Sequence, residues 1–259
     1  MKKNTPTPDF RHPFLLAKAI EIPGLKRRRR IWAHLPSGYD EQPERRFPVV
    51  YLHDAQNIFE GWKAPFGVSW EVHNTMRRMG SEGLEQAIII GIEHGKRRRA
   101  GEFQPLTRQG AFAREGNAYA DFIANKLKPF VDKKLRTIPW REQTALVGSS
   151  MGGLITLYTG MKHQDVFGQL GVFSPSLWAA PALFPLVSKV GRHYPMKIYL
   201  TVGQKEGSGT VRRTEEMFQT LTHAGFPQHE LYLGIRSGER HEEAFWQREF
   251  ETCYRWFLN

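Results

Sequence analysis

The sequence predicts a single α/β domain spanning residues 1–259, with a mixed, mostly parallel sheet, helices on both faces and no large lid. From residue 47 onward, short apolar runs alternate with segments of helical periodicity, which is typical of parallel strands joined by helices. Hydrophobic residues make up 40% of the chain, enough for a full core, and Gly and Pro are dispersed rather than gathered into a linker. Residues 1–14 differ, because their prolines and charges favour a loosely ordered N-terminal arm.

Two strands near the N-terminus are predicted to form an antiparallel hairpin. They span residues 17–22 and 28–35 and flank Pro23-Gly24, a turn signal. The second strand is rich in arginine. We interpret it as an edge strand whose cationic side chains face water and discourage pairing with another sheet.

Six further strands are expected at the apolar runs 47–53, 87–92, 144–147, 170–173, 197–202 and 230–235. Helices are predicted at 119–130, with Pro129 near its end, at 154–161, and around Phe218 and Leu221. A final helix carries an aromatic stripe that we interpret as core, with an inert buried thiol on the same face. The stripe consists of Trp246, Phe250, Cys253, Tyr254 and Phe257.

Composition excludes several classes of protein. The single cysteine rules out an intramolecular disulfide scaffold and any cysteine-based metal cluster. No apolar run approaches the roughly 18 residues of a membrane span, and prolines interrupt the segment after the basic start, unlike a signal peptide. We therefore expect a cytoplasmic protein without a membrane partner.

The formal net charge is +11, and two basic runs stand out at residues 26–30 and 96–99. Such runs can neutralise phosphates, but neither a zinc finger nor an RNP-type aromatic sheet accompanies them. We interpret them as solvated surface that favours anionic ligands. Nucleic acid is therefore not the expected partner.

A Gly-x-Ser-x-Gly motif is centred on Ser150, within Gly148-Ser149-Ser150-Met151-Gly152. It lies between a predicted strand and a predicted helix, the context in which a sharp turn holds a serine in a strained conformation and exposes its hydroxyl. Ser150 is therefore the candidate nucleophile. The alternative is a glycine-rich structural turn.

A serine hydroxyl needs a base to take its proton. In this arrangement the base follows the acid along the chain, and His241 lies in a polar loop beyond the last predicted strand. The other late histidines, His193, His223 and His229, are more naturally surface residues. His241 is the candidate base.

The acid that orients the histidine is predicted at Glu206. Asp165 is the last aspartate, so any later acid is a glutamate. Glu206 lies in the loop directly after the strand 197–202, at the sheet edge where the third member of a triad is expected. The alternatives are Glu215, Glu216 and Glu239.

Two backbone N–H groups should receive the oxyanion of the reaction. Met151, directly after the nucleophile, is predicted to supply one. Ala55 or Gln56, in the loop after the strand 47–53, is predicted to supply the other. Asp54 is interpreted as a residue that shapes this loop through hydrogen bonds to the backbone.

These motifs resemble the esterase D-like, or "putative esterase", branch of the α/β-hydrolases, whose relatives include siderophore esterases, feruloyl esterases and S-formylglutathione hydrolases. The likeness runs from about residue 31 to the C-terminus. It is carried by IWAHLPSGY at 31–39, YLHDAQN at 51–57, GI at 91–92 with Arg99 and EF at 102–103, GSSMGGL at 148–154, FSPSLW at 173–178, and the segment 238–246 with His241 and Glu243.

The resemblance implies an α/β-hydrolase fold, with Ser150 as nucleophile, His241 as base and Met151 as an oxyanion donor. The chain departs from the branch at Ala55, where glycine is frequent, so the oxyanion loop is expected to be altered. Trp178 resembles a residue near the substrate cleft, and we predict that it forms an aromatic wall for the acyl or leaving group. Core packing is the alternative for this residue.

The sequence therefore predicts a serine hydrolase that cleaves a small carboxylic ester, with an anionic substrate favoured by the basic surface, through an acyl-enzyme on Ser150. This chemistry requires neither a metal nor an organic cofactor. Two alternatives stay open: an acyltransferase that uses the same acyl-enzyme, and a non-enzymatic protein that binds nucleic acid through its arginine runs. The oligomeric state has no signal in the sequence.

Overall fold

An eight-stranded sheet organises the computed structural model, which describes residues 12–59, 67–106 and 115–259. The strands are β1 Phe14–Ile22, β2 Arg27–His34, β3 Val49–His53, β4 Ile88–Ile92, β5 Thr144–Ser149, β6 Gln169–Phe173, β7 Lys197–Gly203 and β8 Leu231–Arg236. They lie in the order β1-β2-β4-β3-β5-β6-β7-β8. Strands β1 and β2 form an antiparallel hairpin, β2 is antiparallel to β4, and all later pairs are parallel. Most of the predicted N-terminal arm, residues 1–11, lies outside the described residues.

Helices cover both faces of this sheet. Their bounds are α1 Ala55–Ile58, α2 Val72–Ser81, α3 Arg99–Glu102, α4 Gly116–Phe122, α5 Lys128–Lys134, α6 Met151–Lys162, α7 Leu183–Val190, α8 Ser208–His223 and α9 Glu243–Leu258. Alternating side chains of the buried strands enter two cores. Tyr51 belongs to the core that includes residues of α4, α6, α7 and α8, and Val50 and Leu52 belong to the core that includes residues of α2 and α9. The predicted α/β class, mixed sheet and N-terminal hairpin are confirmed.

Strand β2 is not an edge strand, so that prediction is wrong. It pairs with β1 on one side and β4 on the other, which leaves β1 and β8 at the edges. Two of its four arginines donate hydrogen bonds to carboxylates among the described residues. Arg29 is buried and donates to Glu102 at 2.6 Å, while Arg27 donates to Glu102 and Glu115.

Pro129 lies in the interior of a helical segment rather than near its end, which corrects the sequence prediction. Helix α4 passes into a π-helical turn at Ile123–Leu127 and then into α5, which continues to Lys134. In a regular α-helix the proline ring would clash with the carbonyl four residues back. The wider turn directly before Pro129 accommodates it.

Cys253 lies in the core between α9 and the sheet, as the aromatic stripe of α9 predicts. Burial raises the pKa of its thiol well above the ordinary value. Across the described parts of the chain, none of the helices combines the length and apolar character needed to span a membrane.

The candidate site residues lie at one edge of the sheet, after the carboxyl ends of the parallel strands. Strand β3 ends just before Asp54, β5 ends just before Ser150, and β7 ends three residues before Glu206. Since the carboxyl ends of parallel strands share an edge, these residues are brought together across the chain. The loop after β8 adds His241 at the same edge.

Candidate active site

Ser150 occupies a strained turn between β5 and α6. Its φ of 57° and ψ of −123° lie where side chains are rarely tolerated, and its N–H donates to the carbonyl of Phe173 at 2.9 Å. A Cβ on Gly148 would approach the backbone of Gly152 to 2.6 Å. Glycine at 148 is therefore a steric requirement of the turn, as the motif predicts.

Three side chains that are distant in sequence form one hydrogen-bonded chain. His241 Nε2 lies 3.0 Å from Ser150 Oγ, and His241 Nδ1 lies 2.7 Å from Glu206 Oε2. A carboxylate accepts the Nδ1–H, which leaves the Nε2 lone pair facing the serine hydroxyl. The structure thus brings together all three predicted triad residues in the geometry that proton transfer needs.

Glu206 is held by donors on its other oxygen. Its side chain is 1% exposed, and Oε1 accepts the Ser174 hydroxyl at 2.6 Å and the Gly203 N–H at 2.8 Å. Trp246 Nε1 donates in turn to Ser174 Oγ at 2.8 Å, and its ring meets the His241 ring edge-on at 4.9 Å. The carboxylate is therefore fixed on both oxygens.

Two of these contacts were missed in the sequence. Ser174 directly follows β6 at the same sheet edge, and that position is the signal that could have identified it. Trp246 was interpreted as core; it is buried, but it also donates to the site. The alternative acids Glu216 and Glu239 pair instead with Arg212 and Arg248.

The predicted oxyanion donors begin two helices. Met151 is the first residue of α6 and Ala55 the first of α1, and N–H groups in a first turn have no acceptor within their own helix. Gln56 follows Ala55, and its side chain is engaged with the backbone of His94 at 3.1 and 3.4 Å. Ala55, rather than Gln56, is the first residue of α1, which favours Ala55 as the second donor.

The side chain of Asp54, in the loop after β3, makes an ion pair rather than the predicted hydrogen bonds to the backbone. The residue has a left-handed backbone, with φ 58° and ψ 52°, and its carboxylate accepts two bonds from Arg99, at 2.6 and 2.7 Å. Burial alone would raise the pKa of Asp54, but the guanidinium outweighs it and holds the pKa below its usual value. Sequence reasoning did not find this role of Arg99.

Glu243 is a third buried carboxylate at the site, after those of Glu206 and Asp54. Oε1 accepts Asn57 Nδ2 at 2.9 Å, and Oε2 accepts Trp70 Nε1. Burial raises the pKa of Glu243, and the charge of Asp54 raises it further. The resemblance found in the sequence drew attention to Glu243 but gave it no role.

The cleft has a volume of about 660 Å³. Its lining includes Ser150, His241, Asn57, Arg99, Glu243 and Trp246. Ser176 lies beside the nucleophile, with its hydroxyl 3.3 Å from Ser150 Oγ and its N–H on the Ser150 carbonyl at 3.0 Å. Within the described ranges, no group of three or more His, Cys, Asp or Glu side chains is placed to hold a metal ion.

Trp178 lies in a short helical turn, Leu177–Ala179, that follows Ser176. Its side chain is 60% exposed, which excludes the core-packing alternative. It does not appear among the described residues that line the cleft. A role as an aromatic wall for substrate stays a prediction.

A family model described as "Putative esterase" matches residues 22–256 of the chain. A curated relative, the uncharacterized protein YbbA of Bacillus subtilis (strain 168), is 23% identical over 241 residues, which cover 88% of this chain and 92% of the relative. The region matched by the family model includes every residue of the candidate site.

Solved structures share the fold. An IroE-like serine hydrolase from Shewanella oneidensis superposes with a TM-score of 0.74 at 19% identity, covering 95% of this chain and 78% of the other. A CE1 ferulic acid esterase from Anaeromyces mucronatus superposes with a TM-score of 0.70 at 17% identity, covering 100% of this chain and 95% of the other. At such identities the likeness establishes the architecture alone.

Proposed function

The chain belongs to the "Putative esterase" family and is a carboxylic ester hydrolase, and from this premise we propose that it works through an acyl-enzyme on Ser150. In the proposed first step, His241 Nε2 takes the Ser150 proton while Oγ attacks the ester carbonyl carbon. The tetrahedral intermediate collapses as His241 returns the proton to the leaving alcohol. Water, activated by the same imidazole, then releases the acid and frees the serine.

Glu206 is proposed to orient His241 and to stabilise the imidazolium that forms in each step. Its buried carboxylate, with one oxygen on Nδ1 and the other held by Ser174 and Gly203, supports this role. The backbone N–H groups of Met151 and Ala55 are proposed to stabilise the oxyanion. Acyl transfer to an alcohol would use the same acyl-enzyme and stays an alternative.

The hydrogen bond of 3.0 Å between His241 Nε2 and Ser150 Oγ carries the proposal. A fluorophosphonate probe with intact-mass readout tests it. We expect one adduct on the wild type and none on Ser150→Ala, while Ser188→Ala, on the exposed face of α7, is labelled like the wild type. Labelling that survives Ser150→Ala would remove the proposed nucleophile.

The predicted preference for anionic substrates can act only from the rim of the described cleft. The lining itself contains one guanidinium, Arg99, against the carboxylates of Asp54, Glu242 and Glu243. The run 96–98, which directly precedes Arg99 in the chain, is exposed and is not part of the lining. Charges at a rim raise the encounter rate with anions and are screened by salt. We expect kcat/KM for an anionic aryl ester to fall with added NaCl and that of a neutral ester to stay constant; equal behaviour would refute the preference.

A further inference from the structure

One buried carboxylate connects the two sides of the cleft without bonding to the proposed nucleophile or base. Glu243 begins α9, two residues after His241, and is 7% exposed. Its two oxygens accept from Asn57 Nδ2 and Trp70 Nε1, which both belong to the segment after β3. Glu243 therefore joins the start of the helix that follows the histidine loop to the far wall of the cleft.

Asn57 lies within the oxyanion loop. Its N–H donates to the Asp54 carbonyl at 2.8 Å and closes the turn that carries Ala55, while its carbonyl accepts the Trp70 N–H at 2.7 Å. Both partners of Glu243 are thus tied to each other through the backbone. A shift of the Asn57 side chain would move the first turn of α1, where the proposed oxyanion donor lies.

The other end of the link leads to the base. The carbonyl of Glu242 accepts the N–H groups of Phe245 and Trp246, which fixes the first turn of α9. Trp246 then packs on the His241 ring and bonds to Ser174. The position of Glu243 is therefore linked to that of the imidazole through the first turn of α9 and the ring of Trp246.

Packing alone does not account for a carboxylate at this place. Burial and the negative charge of Asp54 both disfavour the ionised group, and a buried ionic group of this kind stabilises a fold little compared with an apolar side chain. The carboxylate instead fixes the orientation of its two partners, because an ionised carboxylate only accepts hydrogen bonds and both partners donate them.

We propose that Glu243 is a positioning residue, which sets the distance between the base and the oxyanion donors by holding Asn57. This inference rests on the proposed function. It assigns to Glu243 an effect on turnover, since the link aligns the reacting groups. Asn57 and Glu243 also line the cleft, so KM is compared for a neutral ester, whose binding a changed charge disturbs least.

A donor–acceptor swap tests the link. Asn57→Asp places two carboxylates against each other, and we expect kcat to fall by about 10²-fold with KM changed by less than about threefold. In Glu243→Gln the new amide can pair with a turned Asn57 amide while its oxygen keeps Trp70, so a loss below about fivefold is expected. In the double variant, the amide introduced at position 243 would donate to the carboxylate introduced at position 57, and kcat should return to within about fivefold of the wild type.

The fluorophosphonate labelling rate and the melting temperature are measured on the same four proteins. Rescue of kcat and of labelling in the double variant supports the link, whereas wild-type kcat in Asn57→Asp, or a double variant as slow as Asn57→Asp, overturns it. If Asn57→Asp does not fold, Asn57→Ala replaces it, and an unchanged kcat there overturns the proposal. A wild type that neither hydrolyses esters nor takes the probe would instead overturn the proposed function.

Discussion

The two sides of the cleft are held in different ways. On the acid side, hydrogen bonds run directly through the proposed reacting groups, from Ser150 through His241 to Glu206 and Ser174. On the oxyanion side, the proposed backbone donors are held indirectly, by the ion pair of Asp54 with Arg99 and by the contact of Asn57 with Glu243. The acid side thus orients the proposed base, and the oxyanion side positions the start of the helix that carries Ala55.

This difference predicts different consequences of damage. A change on the acid side alters which proton sits on which nitrogen, so it acts on the chemical step itself. A change on the oxyanion side leaves every proton in place and acts through displacement of N–H groups, which costs less until the displacement approaches an ångström. Substitutions that keep the fold can therefore show which side of the cleft affects kcat more strongly.

The largest effect short of losing the nucleophile is expected from Glu206→Gln. The amide would present an N–H to Nδ1 of His241 and favour the tautomer whose Nε2 carries the proton, which cannot act as base; the expected loss in kcat is about 10³-fold. Glu216→Gln, on the exposed face of α8, is the matched control and should retain wild-type turnover of a nitrophenyl acetate. Equal losses in the two variants would break the assignment of the acid.

A smaller effect is expected from Arg99→Gln on the oxyanion side. It leaves the buried Asp54 carboxylate without its guanidinium, which costs about 3–5 kcal/mol of stability, and it loosens the turn before Ala55, with a loss in kcat of about 10²-fold. Arg97→Gln, two residues earlier and exposed, should change neither quantity for a neutral ester. Kinetics and urea unfolding of both variants measure this. Wild-type kcat in a folded Arg99→Gln would mean that the ion pair does not position the loop.

The acid side was predictable from the sequence because its signals are local. A glycine-flanked serine after an apolar strand, a glutamate in the loop directly after another strand, and a histidine in the last polar loop are each recognisable within a few residues. The parallel topology then fixes that the ends of these strands share an edge. The fold was predictable for the same reason, although α2 was overlooked despite the spacing of Val72, Met76 and Met79.

The oxyanion side could not be predicted in this way, because the local sequence around each residue does not indicate which distant residue it contacts. Asp54 and Arg99 are 45 positions apart, and Asn57 and Glu243 are 186 apart. Arg99 also stood at the end of a basic run, which was interpreted as solvated surface. The error over β2 has the same origin, since the carboxylate that meets Arg29 lies 73 residues later.

The smallest effect on activity is expected from a histidine that belongs to neither side. His34 is buried beside His73, and neither of its ring nitrogens has a hydrogen-bond partner within the described part of the chain. Burial lowers its pKa to about 3, and the positive charges of His73 and Arg77 contribute in the same direction. Below a pH of about 6.5, His34 therefore binds a proton in the unfolded chain but stays neutral in the folded chain until the pH approaches 3.

The contribution of His34 to the free energy of unfolding therefore has its full value above a pH of about 6.5. It decreases as the pH falls towards 3, by up to about 1.4 kcal/mol per pH unit. His34→Leu should leave kcat at pH 7.5 unchanged and flatten the loss of unfolding free energy between a pH of about 6.5 and about 4.5. It should not abolish that loss, because His53, with a pKa lowered by burial to about 4, contributes in the same direction. Urea titrations at several pH values measure the slope. A variant as acid-sensitive as the wild type would show that His34 is not the group that titrates, and a fall in its kcat would show that the core around His34 does reach the cleft.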